Sequence, residues 1–343
     1  MKIFGFTLLR NAIKYDYCFL ESLKSLSSVT NSIFLALGDS EDGTEKAIEN
    51  FKNIKIIKTK WDESLRKSGL ILSQQTNIAL DKLREYAKED KDSWGIYLQA
   101  DEVIHEKDYF KLKNDIEYAQ NNGYDAVRFR YFHFWLNHNT IAIGKKWYPV
   151  EVRAIKLDSN ITSIKDAQGF ENITKVYESD VTIYHYGHVR QKELYELKKN
   201  DFHKLYHQDA DLLKAKKREE KKYKEGRILP FFGSHPKVMK DRILSFGDVF
   251  EMEKEPEIWI INNSLHEIEN YIPLINAQKV NIIKHSSQCK NKNKLVILYP
   301  TFWQRIFYPS KVLKRPESKL GRDWTFETYL SLKLSEKKIS SKI

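Results

Sequence analysis

Two adjacent acids, Asp101 and Glu102, follow an apolar run, Trp94–Leu98, that reads as a strand. Carboxylates leaving a sheet at the end of a strand suit Mg2+ or Mn2+, hard cations that prefer oxygen ligands and keep open positions for phosphate. His185 follows a second apolar run, Val181–Tyr184, and a neutral imidazole is a good ligand for Mn2+ and similar metals. Asp166 precedes a glycine-containing turn, Ala167-Gln168-Gly169, where a carboxylate can take a proton from a hydroxyl as general base. Asp39-Ser40-Glu41-Asp42-Gly43-Thr44 offers carboxylates and hydroxyls to the ribose and base of a nucleotide. It lacks the glycine spacing and the lysine of a phosphate-cradling loop.

Each group also has a plain structural reading. Acids favour a helix N-terminus, a lone histidine often bonds a backbone carbonyl, and an aspartate before glycine makes an ordinary turn.

The elements that must carry these residues alternate. Lys2–Leu9 reads as a first strand, Asp16–Ser28 as a helix, Ser32–Leu37 as a buried strand and Ile54–Ile57 as a third. Thr44 reads as the N-cap of a helix over Glu45–Phe51. Leu72, Ala79, Leu83 and Tyr86 share one face of a helix over Gly69–Ala87. A further helix carries Tyr109, Leu112, Ile116 and Ala119 and ends near Gly123, where a left-handed residue suits the C-cap. Such alternation predicts an α/β fold with a mostly parallel central sheet and helices on both faces. Ligands of such sheets bind beyond the carboxyl ends of the strands, where both acidic loops fall. Strands over Ala126–Trp135, Glu151–Leu157 and Val181–Tyr186 follow. Arg190–Lys222 reads as a charged helix, and Glu257–Asn262, Val280–Ile283 and Leu295–Tyr299 as short strands.

The chain has 343 residues, 41% of them hydrophobic and 31% charged, with a net charge of +11. From Lys284 to Ile343, fourteen lysines and arginines stand against four acids, so the tail carries +10 and the rest of the chain is almost neutral. A nucleic-acid-binding domain is expected to carry its basic surface on the folded body, so none is expected as a partner. The tail mixes bases with aromatics (Phe302, Trp303, Arg305, Phe307, Tyr308), a composition suited to an anionic membrane surface. No apolar run is long enough to span a bilayer, and the N-terminal run has no cleavage pattern of a signal peptide. Two cysteines, Cys18 and Cys289, make no disulfide framework. A cytoplasmic setting is expected, with association at the inner face of the membrane.

In this order the pieces resemble bacterial family-2 glycosyltransferases of the lipopolysaccharide or capsule biosynthesis type, over roughly Met1–Lys240. Thr7-Leu8-Leu9-Arg10-Asn11 resembles the first strand and nucleotide-contacting loop of that family. The Asp39–Thr44 turn is similar to its Asp-rich turn, and Asn77-Ile78-Ala79-Leu80 to its Asn-x-Ala-Leu helix. Tyr97-Leu98-Gln99-Ala100-Asp101-Glu102 stands where the family has its Asp-x-Asp metal motif, with Gln99 in place of the first acid. The resemblance implies a GT-A nucleotide-binding domain over 1–240, an accessory α/β segment over 241–283 and a tail over 284–343. It implies Mn2+ or Mg2+ held by Asp101 and His185, and a nucleoside-diphosphate sugar contacted by Arg10, Asn11, Asp39, Asp42, Asn77 and Gln99. Asp166 is then the base, with Glu102 as second choice, acting on a glycan or lipid-linked acceptor with inversion at the anomeric carbon. Two other classes keep a motive. The basic tail suits a nucleic-acid-binding protein, and Gln99 suits a non-catalytic binder of sugar nucleotides or glycans.

Overall fold

Ile-Phe-Gly-Phe-Thr-Leu-Leu carries no charge and is too short for a stable helix of its own; it forms the central strand β1 (Ile3–Leu9). The computed structural model describes residues 1–62, 64–65, 67–135, 137–143, 147–191, 193–194, 196–198, 201, 227–231, 233–248, 258–262, 280–283 and 295–299. Strands β2 (Ile33–Gly38) and β3 (Ile54–Thr59) extend the sheet on one side of β1, and β4 (Trp94–Tyr97) adjoins it on the other. All these pairings are parallel. Parallel neighbours need crossovers, and helices α1 (Phe19–Ser27), α2 (Thr44–Ile48) and α3 (Leu70–Tyr86) lie in them.

Side chains alternate along each strand. Phe4, Phe6, Phe34 and Ala36 pack with Leu72, Ala79, Leu80 and Leu83 of α3. Gly5 points the other way, where an added Cβ would come within 2.9 Å of Leu26 on α1. Helices thus cover both faces, and the fold is α/β with a parallel central run. Burial of a side chain such as Leu80 or Leu83 contributes about 1.5–3 kcal/mol.

The sheet continues antiparallel. Beyond β4 come β5 (Glu102–Ile104), α4 (Tyr109–Asn121), β6 (Ala126–Trp135), β7 (Thr140–Ile143) and β8 (Val150–Lys156). A short hairpin, β9 (Thr162–Ile164) and β10 (Gly169–Glu171), precedes the long β11 (Val176–His188). Strand β8 pairs antiparallel with β4 and β6, and β11 pairs antiparallel with β5.

Two local readings of the sequence are corrected. The first helix begins at Phe19 rather than Asp16, because Asp16 has φ 50, outside the helical region. The residue that caps α2 is Gly43, with φ 85, and Thr44 lies inside the helix. The Thr44 hydroxyl is instead spent on the loop after β1, accepting from the Ala12 and Ile13 amides at 2.8 and 3.3 Å. The expected end of α4 is found: Gly123 has φ 68 and the Tyr124 amide donates to Ala119 O at 3.0 Å.

The chain divides into two compact units, 1–131 with 150–221 and 236–239, and 132–149 with 222–235 and 240–343. In the second, β7 pairs antiparallel with the end of β6 and with β12 (Arg227–Pro230), and a helix α5 (Lys240–Phe246) follows. Its core is aromatic: Phe134 packs against Phe231 and His235, and His138 Nδ1 meets Asp248 Oδ2 at 2.7 Å. Strands β13 (Ile258–Asn262), β14 (Val280–Ile283) and β15 (Leu295–Tyr299) form a parallel sheet with β13 in the middle. Most of the expected charged helix 190–222, and the basic stretch beyond 299, lie outside the described residues. Among the described residues no helix is long and apolar enough to cross a membrane.

Candidate active site

Strand order reverses at β1: β2 and β3 lie to one side of it and β4 to the other. Open α/β sheets bind ligands at such a switch point, beyond the carboxyl ends of the strands. The loops leaving β1, β2 and β4 all emerge there.

The first two loops are laced together. Arg10 Nε donates to Asp39 O at 3.3 Å, the Asn11 amide to Ser40 Oγ at 3.0 Å, and the Glu41 amide to Asn11 Oδ1 at 3.0 Å. Asn11 adopts φ 50 to make these bonds. Asp42 accepts from the Lys14 amide at 2.7 Å and from the Thr44 amide and hydroxyl at 3.0 and 2.6 Å. Burial acts to raise the Asp42 carboxyl, and these hydrogen bonds outweigh it and hold it below the usual range. Asp42 therefore shapes the turn. Asp39 is exposed. The Arg10 guanidinium lies 5.0 Å from the centre of the Trp61 ring, and a Cβ on Gly38 would collide with the Trp61 indole. Trp61 Nε1 is buried and has no hydrogen-bond partner among the described residues.

The third loop carries Asp101. Pairing of β5 with β11 sets His185 opposite Glu102, and the Tyr186 amide donates to Asp101 O at 2.8 Å. Asp101 Oδ1 and His185 Nε2 are thereby 3.6 Å apart. The approach depends on Gly187, where a Cβ would fall 2.6 Å from His185 Nε2 and 2.7 Å from Asp101 Oδ2.

Two cations that the sequence reading did not single out complete the cluster. Lys198 Nζ lies 3.5 Å and Arg190 Nη2 3.7 Å from Asp101 Oδ2. Arg190 is held on its other nitrogens, Nε donating to Tyr15 O at 2.7 Å and Nη1 to Gly187 O. The Tyr17 ring lies 4.7 Å from the Arg190 guanidinium carbon and 4.3 Å from Lys198 Nζ, a cation–π contact with both. Burial acts to raise the Asp101 carboxyl, but Lys198, His185 and Arg190 overcome it and hold it low. Burial pushes His185 down against the pull of Asp101, so the imidazole is neutral. Burial and the charge of Arg190 bring Lys198 down to about 7.

The remaining expected residues are structural in their contacts. Glu102 is fully buried and accepts a two-pronged salt bridge, Arg153 Nη2 to Oε1 at 2.8 Å and Nε to Oε2 at 2.9 Å. Tyr131 Oη and the Gln99 amide donate to the same carboxylate at 3.0 and 3.1 Å. A carboxylate so engaged ties strands together; it is not free to serve as the alternative base. Asn77 clamps β9, its Nδ2 donating to Ser163 O at 2.9 Å and its Oδ1 accepting from the Ser163 amide at 2.8 Å. Both polar ends of the Asn77 side chain are thus engaged by the hairpin. Gln99 Nε2 donates to Ala167 O at 3.2 Å, coupling the Asp101 loop to the turn that carries Asp166. Asp166 is half-buried between Lys165 and Ala167, whose φ values are 54 and 59. Left-handed non-glycine residues cost about 1–3 kcal/mol each and gather where geometry matters more than ease.

The donor set does not fit a divalent metal well. Asp101 and His185 are near enough to share one, but among the described residues no group of three or more His, Cys, Asp or Glu is placed to hold a metal. A dication between them would also face Arg190 and Lys198 across Asp101, and like charges so close oppose it. The place beside Asp101 that the sequence suggested for a metal is already served by two cations.

No protein-family model matches this chain, and no curated protein matches it. Among solved structures it is similar to S. aureus TarS 1–349 in complex with UDP, 14% identical over 62% of this chain and 68% of that one, with a TM-score of 0.36. It is also similar to a longer structure of S. aureus TarS, 14% identical over 59% of this chain and only 39% of that one, with a TM-score of 0.35. Likeness at this level carries no functional weight.

Proposed function

We propose that this chain is a glycosyltransferase of the GT-A type, moving a sugar from a nucleoside-diphosphate sugar to a hydroxyl of a glycan or lipid-linked acceptor in cell-envelope polysaccharide synthesis. One observation carries the reading. Asp101, His185, Arg190 and Lys198 converge within about one side-chain length at the carboxyl end of the parallel strands. The Arg10–Trp61 pair stands beyond the neighbouring strands β1 and β2, at the same end of the sheet. An anion and an aromatic base, the two ends of a nucleoside diphosphate, suit these two groups.

In the reaction the acceptor oxygen attacks the anomeric carbon and the bond from that carbon to the β-phosphate oxygen breaks. The electron pair leaves with the diphosphate, and the acceptor proton passes to the Asp166 carboxylate. In-line attack inverts the anomeric centre. The metal expected from the sequence is not carried into this reading, for the reasons of charge and ligand number above. The basic tail remains a candidate contact with anionic lipid at the membrane face where such acceptors sit.

The test is a thermal-shift titration of the full chain with UDP, GDP, CDP, dTDP and their sugar conjugates. A ligand that binds only the native state adds about 2.7 kcal/mol at a hundred times its dissociation constant. No response to any of them would remove the reading. A second variant probes the cluster. Gly187→Ala must push Asp101 away from His185, so nucleoside-diphosphate affinity should fall about tenfold or more, some 1.4 kcal/mol. Unchanged affinity in that variant would place the ligand elsewhere.

A further inference from the structure

Arg190 is buried, 3% exposed, with two of its three nitrogens fixed to backbone carbonyls and the third, Nη2, without a hydrogen-bond partner among the described residues. Nη2 and Lys198 Nζ both ion-pair with Asp101 Oδ2, at 3.7 and 3.5 Å. Lys198 keeps 17% of its side chain exposed. A guanidinium whose orientation is fixed before the ligand arrives is suited to recognise phosphate oxygens, and it spends no reorganisation when charge develops. The cluster holds one carboxylate, one neutral imidazole, one guanidinium and a lysine brought down to about 7, and a bound anion would hold that lysine in its charged form.

We infer that Arg190 and Lys198 bind the diphosphate of the donor and take up the charge of the leaving group, so that donor binding needs no divalent metal. This rests on the glycosyltransferase reading above. Asp101 then stands in for the anion in the free chain: it partners Arg190 and Lys198 until the diphosphate displaces it. Tyr17, beside both, keeps Lys198 from folding back into solvent.

The experiment is calorimetric titration of the full chain with UDP, GDP, CDP and dTDP, and with the matching nucleosides, each in EDTA and in Mn2+. The expected result is that the preferred diphosphate binds in EDTA within about threefold of its affinity in Mn2+. Lys198→Met and Arg190→Met should each lose tenfold or more of that affinity. Lys198→Met should keep its nucleoside affinity, which shows the site still folded, and Lys198→Arg should recover part of the loss. Asp101→Asn should bind the diphosphate in EDTA at least as tightly as the parent chain, because a competing negative charge is gone. Diphosphate binding that appears only with Mn2+ and vanishes in Asp101→Asn would overturn the inference while leaving the glycosyltransferase reading intact. Absence of binding in both buffers would overturn the two together.

Discussion

Replacing Arg153 with methionine should cost the protein about 3–5 kcal/mol of stability, the usual consequence of stranding one member of a buried ion pair. Both side chains of the Arg153–Glu102 pair have zero exposure, so no water is at hand to solvate the carboxylate left behind. The guanidinium also donates to Val152 O and Gln168 O at 2.9 and 2.7 Å, and these bonds go with it. Against a typical total of about 5–15 kcal/mol, such a loss is close to unfolding. Urea denaturation should show a lowered midpoint with unchanged slope. Glu102→Gln should be destabilised as well, since it leaves the arginine charge uncompensated. A midpoint within experimental scatter of the parent in both variants would show that the pair is not what holds β5 and β8 together.

The second large effect is catalytic. Asp166→Asn should reduce transfer by about 10²-fold or more, the scale of a positioned general base, with donor affinity unchanged. The turn is tethered from three sides, by Gln99 to Ala167 O, by Arg153 to Gln168 O, and by Gln168 Nε2 to Glu151 Oε1 at 2.7 Å. These bonds hold the backbone and the neighbouring side chains of the turn, so the turn should keep its place in the asparagine variant. A steady-state comparison of transfer with donor titration separates the two effects. Normal transfer in the variant would move the base to another residue.

How much of this was legible in the sequence depends on the length of each signal. Strand β6 was read with the bounds it has, because Val127, Phe129, Tyr131, Phe132, Phe134 and Trp135 crowd strand-favouring side chains into ten residues. Helix α3 was read within a residue at either end, and Gly123 was recognised as the stop of α4. The β9–β10 hairpin was not seen, since three residues per strand are too few for alternation to register. Asp101 and His185 were named as partners, and the structure sets them side by side. Arg190 and Lys198 went unnoticed for a different reason. A run dense in lysine and glutamate reads as a solvated helix face, and nothing in it marks the two cations that turn inward. Burial of Tyr186 and Val189 just before the run was the one available hint that the chain had not yet reached solvent. The partners of Asn77 and Glu102 were not legible for a related reason: residue type and position along an element do not say which way a polar group will turn.

Asn77 and Arg84 stand seven residues apart on α3, two turns, and both reach the same neighbouring stretch. Arg84 donates to Leu157 O and Ile161 O at 3.1 and 2.7 Å, while Asn77 grips Ser163. The helix thus serves as a spar whose rotational phase sets where the Asp166 turn stands. One residue inserted between the two anchors would swing one of them about 100° around the axis. The spar would remain helical and the turn would come off its mooring, so this stretch should tolerate substitution far better than any change of length.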